Sequence, residues 1–440
     1  MTDVQPSVAG ERAGPDGSRS GRAGKAAFVG TVLEYYDFSL YGSAAATVFG
    51  TVFFAGSSPF LATLQSVATF AVAFLVRPIA GAVLGSVGDR VGRRRVLVGT
   101  MLVMGVATMG IGLVPGYATL GAAAPVLLVA LRVLQGIGAS AEFGGATLVA
   151  VEFARPGRRG LLGSLPGTGA ALGGVLGTLM LLAVSSLTTP EQFLDWGWRI
   201  PFLLSAVLVG YGIWLRRHLP ETPEYRRAEE AGATVRTPLR EILRTRRREV
   251  LAIIAIVTAQ TGFGYFYIVF VVSYAGGEQV GLSRTVTFAA LLSAQLAGTV
   301  FTPFFGALSD RIGLRPVIAF GLALSAVLAF PFFALVRGDW PPGLFIAMIL
   351  ANGVAATAIV AVAGTLVTEL FDPGVRYSGM GLARETGNMI GAAATPLLAV
   401  QLAHLGAGTW PLSLLLLALS AIGTLGLLAV RRRSRAVVTS

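Results

Sequence analysis

The chain has 440 residues, of which 54% are hydrophobic and 13% charged, with a mean hydropathy of +0.73. Soluble domains carry about 25% charged residues, so a chain this apolar has lipid as its main solvent. Cys is absent and His218 and His404 are the only histidines, which excludes disulfides and Cys-ligated metals and leaves little for a His-based metal site or Ser-His-Asp catalysis.

The first ~25 residues are polar, Gly-rich and mixed in charge, without the apolar core of a signal peptide. They are expected to form a disordered cytoplasmic tail over 1–25. Apolar stretches long enough to cross a bilayer then recur near 26–50, 59–84, 95–114, 124–152, 160–186, 200–217, 250–275, 285–308, 316–336, 343–368, 378–402 and 409–430. A single span satisfies its backbone internally only as a helix. The expected fold class is therefore an all-α membrane protein of about twelve transmembrane helices.

The basic residues set the orientation. One series of loops holds Arg90, Arg93, Arg94 and Arg95, then Arg155, Arg158 and Arg159, the 216–248 stretch, Arg311, Arg315, Arg376 and the tail Arg431–Arg433. By these boundaries the opposite loops hold Arg284 and Arg337. The asymmetry puts both termini in the cytoplasm. It also accounts for the net charge of +12 as a topology signal, so nucleic acid is not an expected partner, whereas the lipid bilayer is.

The chain repeats itself. Gly85-Ser-Val-Gly-Asp89-Arg90-Val-Gly92-Arg93-Arg94 closes the second span, and Gly306-Ala-Leu-Ser-Asp310-Arg311-Ile-Gly313-Leu-Arg315 closes the eighth. Glu152-Phe-Ala-Arg-Pro156-Gly157-Arg-Arg159 after span four matches Glu369-Leu-Phe-Asp-Pro373-Gly374-Val-Arg376 after span ten. Two matches at nearly one period mean a duplicated six-helix unit. The expected organisation is an N-terminal bundle over 26–217, a cytoplasmic linker over 218–249, a C-terminal bundle over 250–430 and a tail over 431–440.

These residues carry a resemblance. Gly85 to Arg94, with its degenerate copy at Gly306 to Arg315, resembles the loop signature of the major facilitator superfamily, and Arg132-Val-Leu-Gln135-Gly136 resembles a second superfamily motif. Gly30-Thr-Val-Leu-Glu34-Tyr35-Tyr36-Asp37-Phe38-Ser-Leu-Tyr41-Gly42 resembles the first helix of the metabolite:proton symporters. So do Arg77-Pro78, Glu142-Phe143-Gly144-Gly145-Ala146, Trp198-Arg199-Ile-Pro201-Phe202 and Leu219-Pro220-Glu221-Thr222-Pro223. The resemblance implies two pseudo-symmetric bundles, a central cavity, alternating access, and proton-driven uptake of organic acids or zwitterions such as proline and betaines. There are departures. Span eleven has Arg384-Glu385 where the family commonly shows Tyr-Asn, and Leu314 stands where a basic residue is usual.

Ionisable groups within a span cost roughly 2.5–3.5 kcal/mol each, so they pair or face a cavity. Glu34, Asp37 and Tyr41 lie at i, i+3 and i+7, on one helical face. Counting residues along spans one, two and four places Glu34, Asp37, Arg77 and Glu142 at one depth in the inner half of the membrane. Arg77 alone cannot neutralise three carboxylates, so one is expected to take up and release a proton. Asp37 is the leading carrier, with Glu34 and Glu142 behind it and Glu34 also holding Arg77. Arg132, higher in span four, offers a planar fork for a solute carboxylate. Arg384 and Glu385 are adjacent, about 100° apart on their helix, so one is expected to face the cavity. Arg77, Tyr41, Gln260, Tyr267, Gln295 and Asn352 complete the expected solute contacts. Asp89, Arg90, Arg93, Asp310 and Arg311 are read as a latch, in which a loop carboxylate caps a neighbouring helix N-terminus. Gly163xxxGly167 and Gly169xxxGly173xxxGly177 are read as close-packing surfaces, not as a dinucleotide fingerprint.

The expected function is a monomeric secondary transporter in the plasma (inner) membrane. It carries a small, carboxylate-bearing or zwitterionic solute in symport with protons, and needs no cofactor beyond the proton gradient. The alternative is a proton-driven exporter of a hydrophobic compound or natural product, which should tolerate loss of Arg132. An enzyme has no nucleophile–base constellation or metal site to rest on.

Overall fold

The computed structural model describes residues 17–91, 93–140, 150–151, 154, 157–217, 246–337, 339–370, 376–406 and 408–430. Twelve long helical segments run through these residues: α1 (Gly17–Thr47), α2 (Pro59–Val91), α3 (Arg93–Leu113), α4 (Ala123–Ala139), α5 (Arg159–Leu187), α6 (Arg199–Arg217), α7 (Arg247–Gly276), α8 (Arg284–Ile312), α9 (Leu314–Leu328), α10 (Pro341–Leu370), α11 (376–404) and α12 (Trp410–Ala429). They follow the spacing of the expected spans. Three boundaries differ by more than a helical turn: α2 runs on to Val91 past the expected 84, α9 stops at Leu328 short of the expected 336, and α1 begins at Gly17, so 17–25, assigned to the tail from its polarity, is helical. Nothing in an apolar-run criterion stops a helix where hydrophobicity stops.

By length and apolarity alone, α2, α5, α7, α8, α10 and α12 qualify as spans, and α6 does so together with the bent turn before it. The rest fall short for visible reasons. α3, α4 and α9 have short apolar stretches. α1 and α11 carry Glu34 with Asp37, and Arg384 with Glu385. The charge within the spans is turned inward: Glu34 and Asp37 are 1% and 4% exposed, and Arg77 and Arg132 are buried too. Outward faces present Ile79, Val126, Val207, Val300 and Leu428, as lipid requires. Exposed Trp196, Trp340 and Trp410 lie near one end of the bundle and Tyr211 and Trp214 near the other, the pattern of interfacial aromatic belts.

The two halves meet along α5 against α8, α2 against α11, and α1 against α7. The first two pairs exchange under the sequence repeat, so the seam is pseudo-two-fold. Within the first half, α1 lies along α5 and the glycine ladder explains how. A Cβ on Gly173 would sit 2.3 Å from the Val32 carbonyl oxygen, and one on Gly177 2.8 Å from that of Tyr36. Only glycine permits that approach. Helices α7, α10 and α11 each contain a wide π-type stretch, over Phe266–Val271, Ile349–Ala356 and Met389–Ala394. Such stretches re-aim side chains and often mark functional sites.

The bundle has a basic end, where Arg95, Arg158, Arg159, Arg311 and Arg315 lie. The other end holds Arg284 and Arg337, and also Arg199, which donates to the last carbonyls of α3 at Gly112 (2.9 Å) and Val114 (2.6 Å). A cation at a helix C-terminus compensates its dipole.

Candidate functional site

Two separate polar networks sit inside the bundle, where a single cluster was expected. The first joins three helices of the first half. The Asp37 carboxylate on α1 accepts from Thr108 Oγ1 on α3 (2.5 Å) and from Gln135 Nε2 on α4 (2.7 Å). Gln135 Nε2 also reaches Thr108 Oγ1 at 2.9 Å, and Gln135 Oε1 accepts from Arg132 Nη1 at 2.9 Å. Asp37 and Arg132 are therefore linked through a neutral carboxamide. Arg132 is fully buried. Its guanidinium lies 3.9 Å from the Tyr41 ring centre, 5.1 Å from Phe70 and 5.3 Å from Phe38, an aromatic box of cation–π contacts. Tyr41 in turn donates to Thr69 Oγ1 at 2.8 Å.

The second network crosses the seam. Arg77 on α2 donates from Nη2 to Glu34 Oε1 on α1 (3.1 Å) and from Nε to Glu385 Oε2 on α11 (2.8 Å). Asn388 Nδ2 lies 3.4 Å from Glu385 Oε1, and Arg384 Nε 3.9 Å from the same oxygen. The Phe38 ring stands between the networks, its centre 5.3 Å from each of the two guanidinium carbons, Arg77 and Arg132.

Beside both networks lies a cavity of about 140 Å³, room for on the order of ten water molecules. It is walled by α1, α5, α7, α8, α10 and α11, and so lies between the halves. Gln260, Gln295, Asn352 and Arg384 line it, as do Tyr35, Ser39 and Tyr265. Among its described lining residues Arg384 is the one charged side chain. Gln295 is 6% exposed; its Nε2 donates to Ser39 Oγ at 3.2 Å, and its Oε1 has no partner.

The structure revises several expectations. Glu34 and Arg77 are paired, but Asp37 bonds Thr108 and Gln135 instead of joining them. Depth counted along each helix could not show that Phe38, the next residue, partitions the layer. Arg77, Arg132, Tyr41 and Tyr267, expected to touch a solute, do not line the cavity. Arg132 was placed too high: its long side chain and Gln135 together carry it to the Asp37 level. Tyr267 packs on Phe332, ring centres 5.3 Å apart. Glu385 faces Arg77 across the seam, while its neighbour Arg384 faces the cavity. Glu142 lies outside the described residues, as do the side chains of Asp89, Arg90 and Arg93. Gln135 and Thr108 had been given no role; Gln135 at i+3 from Arg132 was the available signal.

At the basic end, Asp310 near the C-terminus of α8 accepts from the backbone N–H groups of Gly160 (2.7 Å) and Leu161 (3.0 Å), the first turn of α5 in the other half. Arg311 beside it is exposed. At the far end Phe60 of α2 stacks on His404 of α11, ring centres 3.6 Å apart. The halves touch at both ends of the cavity.

Known proteins agree with this arrangement. The family described as Sugar (and other) transporter matches residues 25–237, and that described as Major Facilitator Superfamily matches residues 277–439. The chain is 37% identical to an inner membrane metabolite transport protein of Escherichia coli, over 86% of each chain. It is 37% identical to the shikimate transporter of the same organism, over 89% of this chain and 90% of that one. A proline/betaine transporter of Salmonella typhimurium is 32% identical over 70% of this chain and 63% of its own length. In fold it matches the E. coli xylose transporter XylE in a partially occluded inward-open conformation, with a TM-score of 0.73, 17% identity, and coverage of 93% of this chain and 97% of that one. Twelve helices in two pseudo-symmetric halves, inward-turned charge and these relatives together place the chain in the major facilitator superfamily of membrane transporters.

Proposed function

We propose that the protein is a proton-coupled symporter that takes up a small polar metabolite, a carboxylate or a zwitterion, by alternating access. The carrying observation is Asp37. Its carboxylate is buried within the membrane, yet both oxygens bond neutral donors, Thr108 and Gln135. Arg132 acts on it only through Gln135. A proton can therefore come and go without a salt bridge being broken, whereas Glu34 is tied directly to Arg77. The names of the relatives, metabolite, shikimate and proline/betaine transporters, support the solute class. Three carboxamides and a guanidinium on the cavity wall favour a polar solute over the hydrophobic cargo of the exporter alternative. The basic end is assigned to the cytoplasm, with both termini there and the chain in the inner membrane. Asp310 on the α5 N-terminus and Arg77 on Glu385 then form the cytoplasmic closure.

Reconstitution in liposomes under an imposed proton gradient tests this. Solute entry should acidify the lumen and scale with the gradient. Uptake that ignores the gradient for every organic acid and betaine tried would overturn it.

A further inference from the structure

The donors and acceptors around Asp37 fix which of its two oxygens a proton can occupy. The order starts at Arg132. A guanidinium only donates, so the carboxamide of Gln135 turns its Oε1 towards Arg132 Nη1, at 2.9 Å. Gln135 Nε2 then faces the other way, and its two hydrogens meet Asp37 Oδ2 at 2.7 Å and Thr108 Oγ1 at 2.9 Å. Turning the amide over would set Nε2 against the guanidinium, donor to donor. Asp37 Oδ2 therefore faces an N–H whatever the charge on Asp37. A proton placed there would find a donor where it needs an acceptor.

At Oδ1 the partner can reverse its role. Thr108 Oγ1 lies 2.5 Å from Asp37 Oδ1 and 2.9 Å from the carbonyl oxygen of Met104, one turn back on α3. The hydroxyl has one hydrogen and two acceptors in reach. While Asp37 is charged, that hydrogen points to Oδ1. When Oδ1 carries a proton, Thr108 accepts it and turns its own hydrogen to Met104, whose carbonyl has a second lone pair beside its helix bond. Thr108 accepts from Gln135 in both settings, so the carboxamide and Arg132 stay where they are.

We infer, building on the proton-coupled reading, that Asp37 is protonated at Oδ1 and that the Thr108 hydroxyl accommodates the proton by rotating from Asp37 to Met104, with Gln135 and Arg132 as positioning residues. One O–H bond forms at Oδ1 with a proton delivered from water. The Thr108 O–H bond turns and does not break. Loading and unloading then change the charge of this cage and leave its shape. Among the described residues, the other charged and titratable groups nearby have partners of their own. Tyr41 donates to Thr69, and Tyr36 to the Pro201 carbonyl of α6. Arg77 lies beyond Phe38, between Glu34 and Glu385. Tyr265 of α7 packs on Phe70 and Phe74. Helix α5 meets α1 with its glycines.

Acid–base difference infrared spectroscopy on the purified protein, with no solute and no gradient, tests the inference apart from transport. Acidification should raise a carboxylic-acid C=O band that is missing in Asp37→Asn. Its position should be that of an acid with two hydrogen bonds, one from Oδ1–H to Thr108 and one from Gln135 to Oδ2. Thr108→Val should move the band up, to the position of an acid with one hydrogen bond fewer, and Thr108→Ser should hold it at the wild-type position. A merely structural role for Thr108 would not shift that band. The inference is overturned by the absence of any band lost in Asp37→Asn, by a band that Thr108→Val leaves in place, or by Ser behaving as Val. If Thr108→Val fails to fold, the wild-type band decides: the position of a singly bonded or free acid overturns the inference. Gradient-driven uptake by a protein without the Asp37 band would leave the symporter reading standing. The expected bands in a protein whose uptake ignores the gradient would overturn that reading alone.

Discussion

Arg77 and Glu385 hold the two halves together from opposite sides of the seam, Nε to Oε2 at 2.8 Å, with Glu34 on the far side of the same guanidinium at 3.1 Å. Removing one member of a buried pair exposes the other to an uncompensated charge, at a cost of about 3–5 kcal/mol. Arg77→Ala leaves two carboxylates facing each other and should lower the melting temperature in detergent sharply. Glu385→Gln keeps shape and leaves Arg77 its Glu34 partner. It should fold normally and part the seam more readily. Because the chain has no native Cys, a single Ala171→Cys on the cavity wall reports this cleanly. Its reaction with an impermeant maleimide added from the basic end should accelerate severalfold in Glu385→Gln. An unchanged rate would remove this pair from the closure.

Asp37→Asn preserves size and the bond from Thr108 while removing the charge. Exchange of solute against solute should survive in liposomes, and accumulation driven by the proton gradient should be lost. Full retention of gradient-driven accumulation would show that the proton travels elsewhere. Thr108→Val, which removes one neutral donor, should have the milder effect.

Asp310 caps the first turn of α5 with both oxygens. A carboxylate at a helix N-terminus contributes about 0.3–1 kcal/mol, and up to ~2 kcal/mol when partly buried. Asp310→Asn should therefore lower thermal stability modestly and raise Ala171→Cys labelling from the basic end. If labelling falls, Asp310 favours the opposite state.

Gly173 and Gly264 form a contrasting pair. Gly173→Ala drives a methyl into the Val32 carbonyl at 2.3 Å and should reduce the folded yield on size-exclusion chromatography. At Gly264, also on the cavity wall, a Cβ meets nothing within 4 Å, and Ala should leave the yield unchanged. A normal yield for Gly173→Ala would mean that α1 and α5 cross further apart.

Much of this architecture was legible in the chain. The positions of the twelve helices track the apolar runs, although five of them fall short as spans by length and apolarity alone, and the two-fold seam follows from the Asp89 and Asp310 repeats. The Gly169–Gly173–Gly177 ladder announced a close crossing, which α1 supplies. The site was less legible. Spacing along one helix fixes face and depth, but not which neighbour a long side chain reaches. Arg132 thus looked like a solute contact when it closes on Tyr41 and Gln135. The π-type stretch that carries Asn352 leaves no periodic mark in the sequence. Glu385 was visible as a departure, but its partner 308 positions away was not.

Arg77 has one carboxylate on each side of the seam, and Glu385 has a guanidinium neighbour of its own in Arg384. When the halves separate at this end, Glu34 leaves with Arg77, and Arg384 leaves with Glu385. Each half carries away one cation and one anion. The contact behaves like a coupling whose two plugs stay insulated when pulled apart. If the contact is the closure proposed above, it is made and broken on every cycle without stranding a bare charge in the membrane.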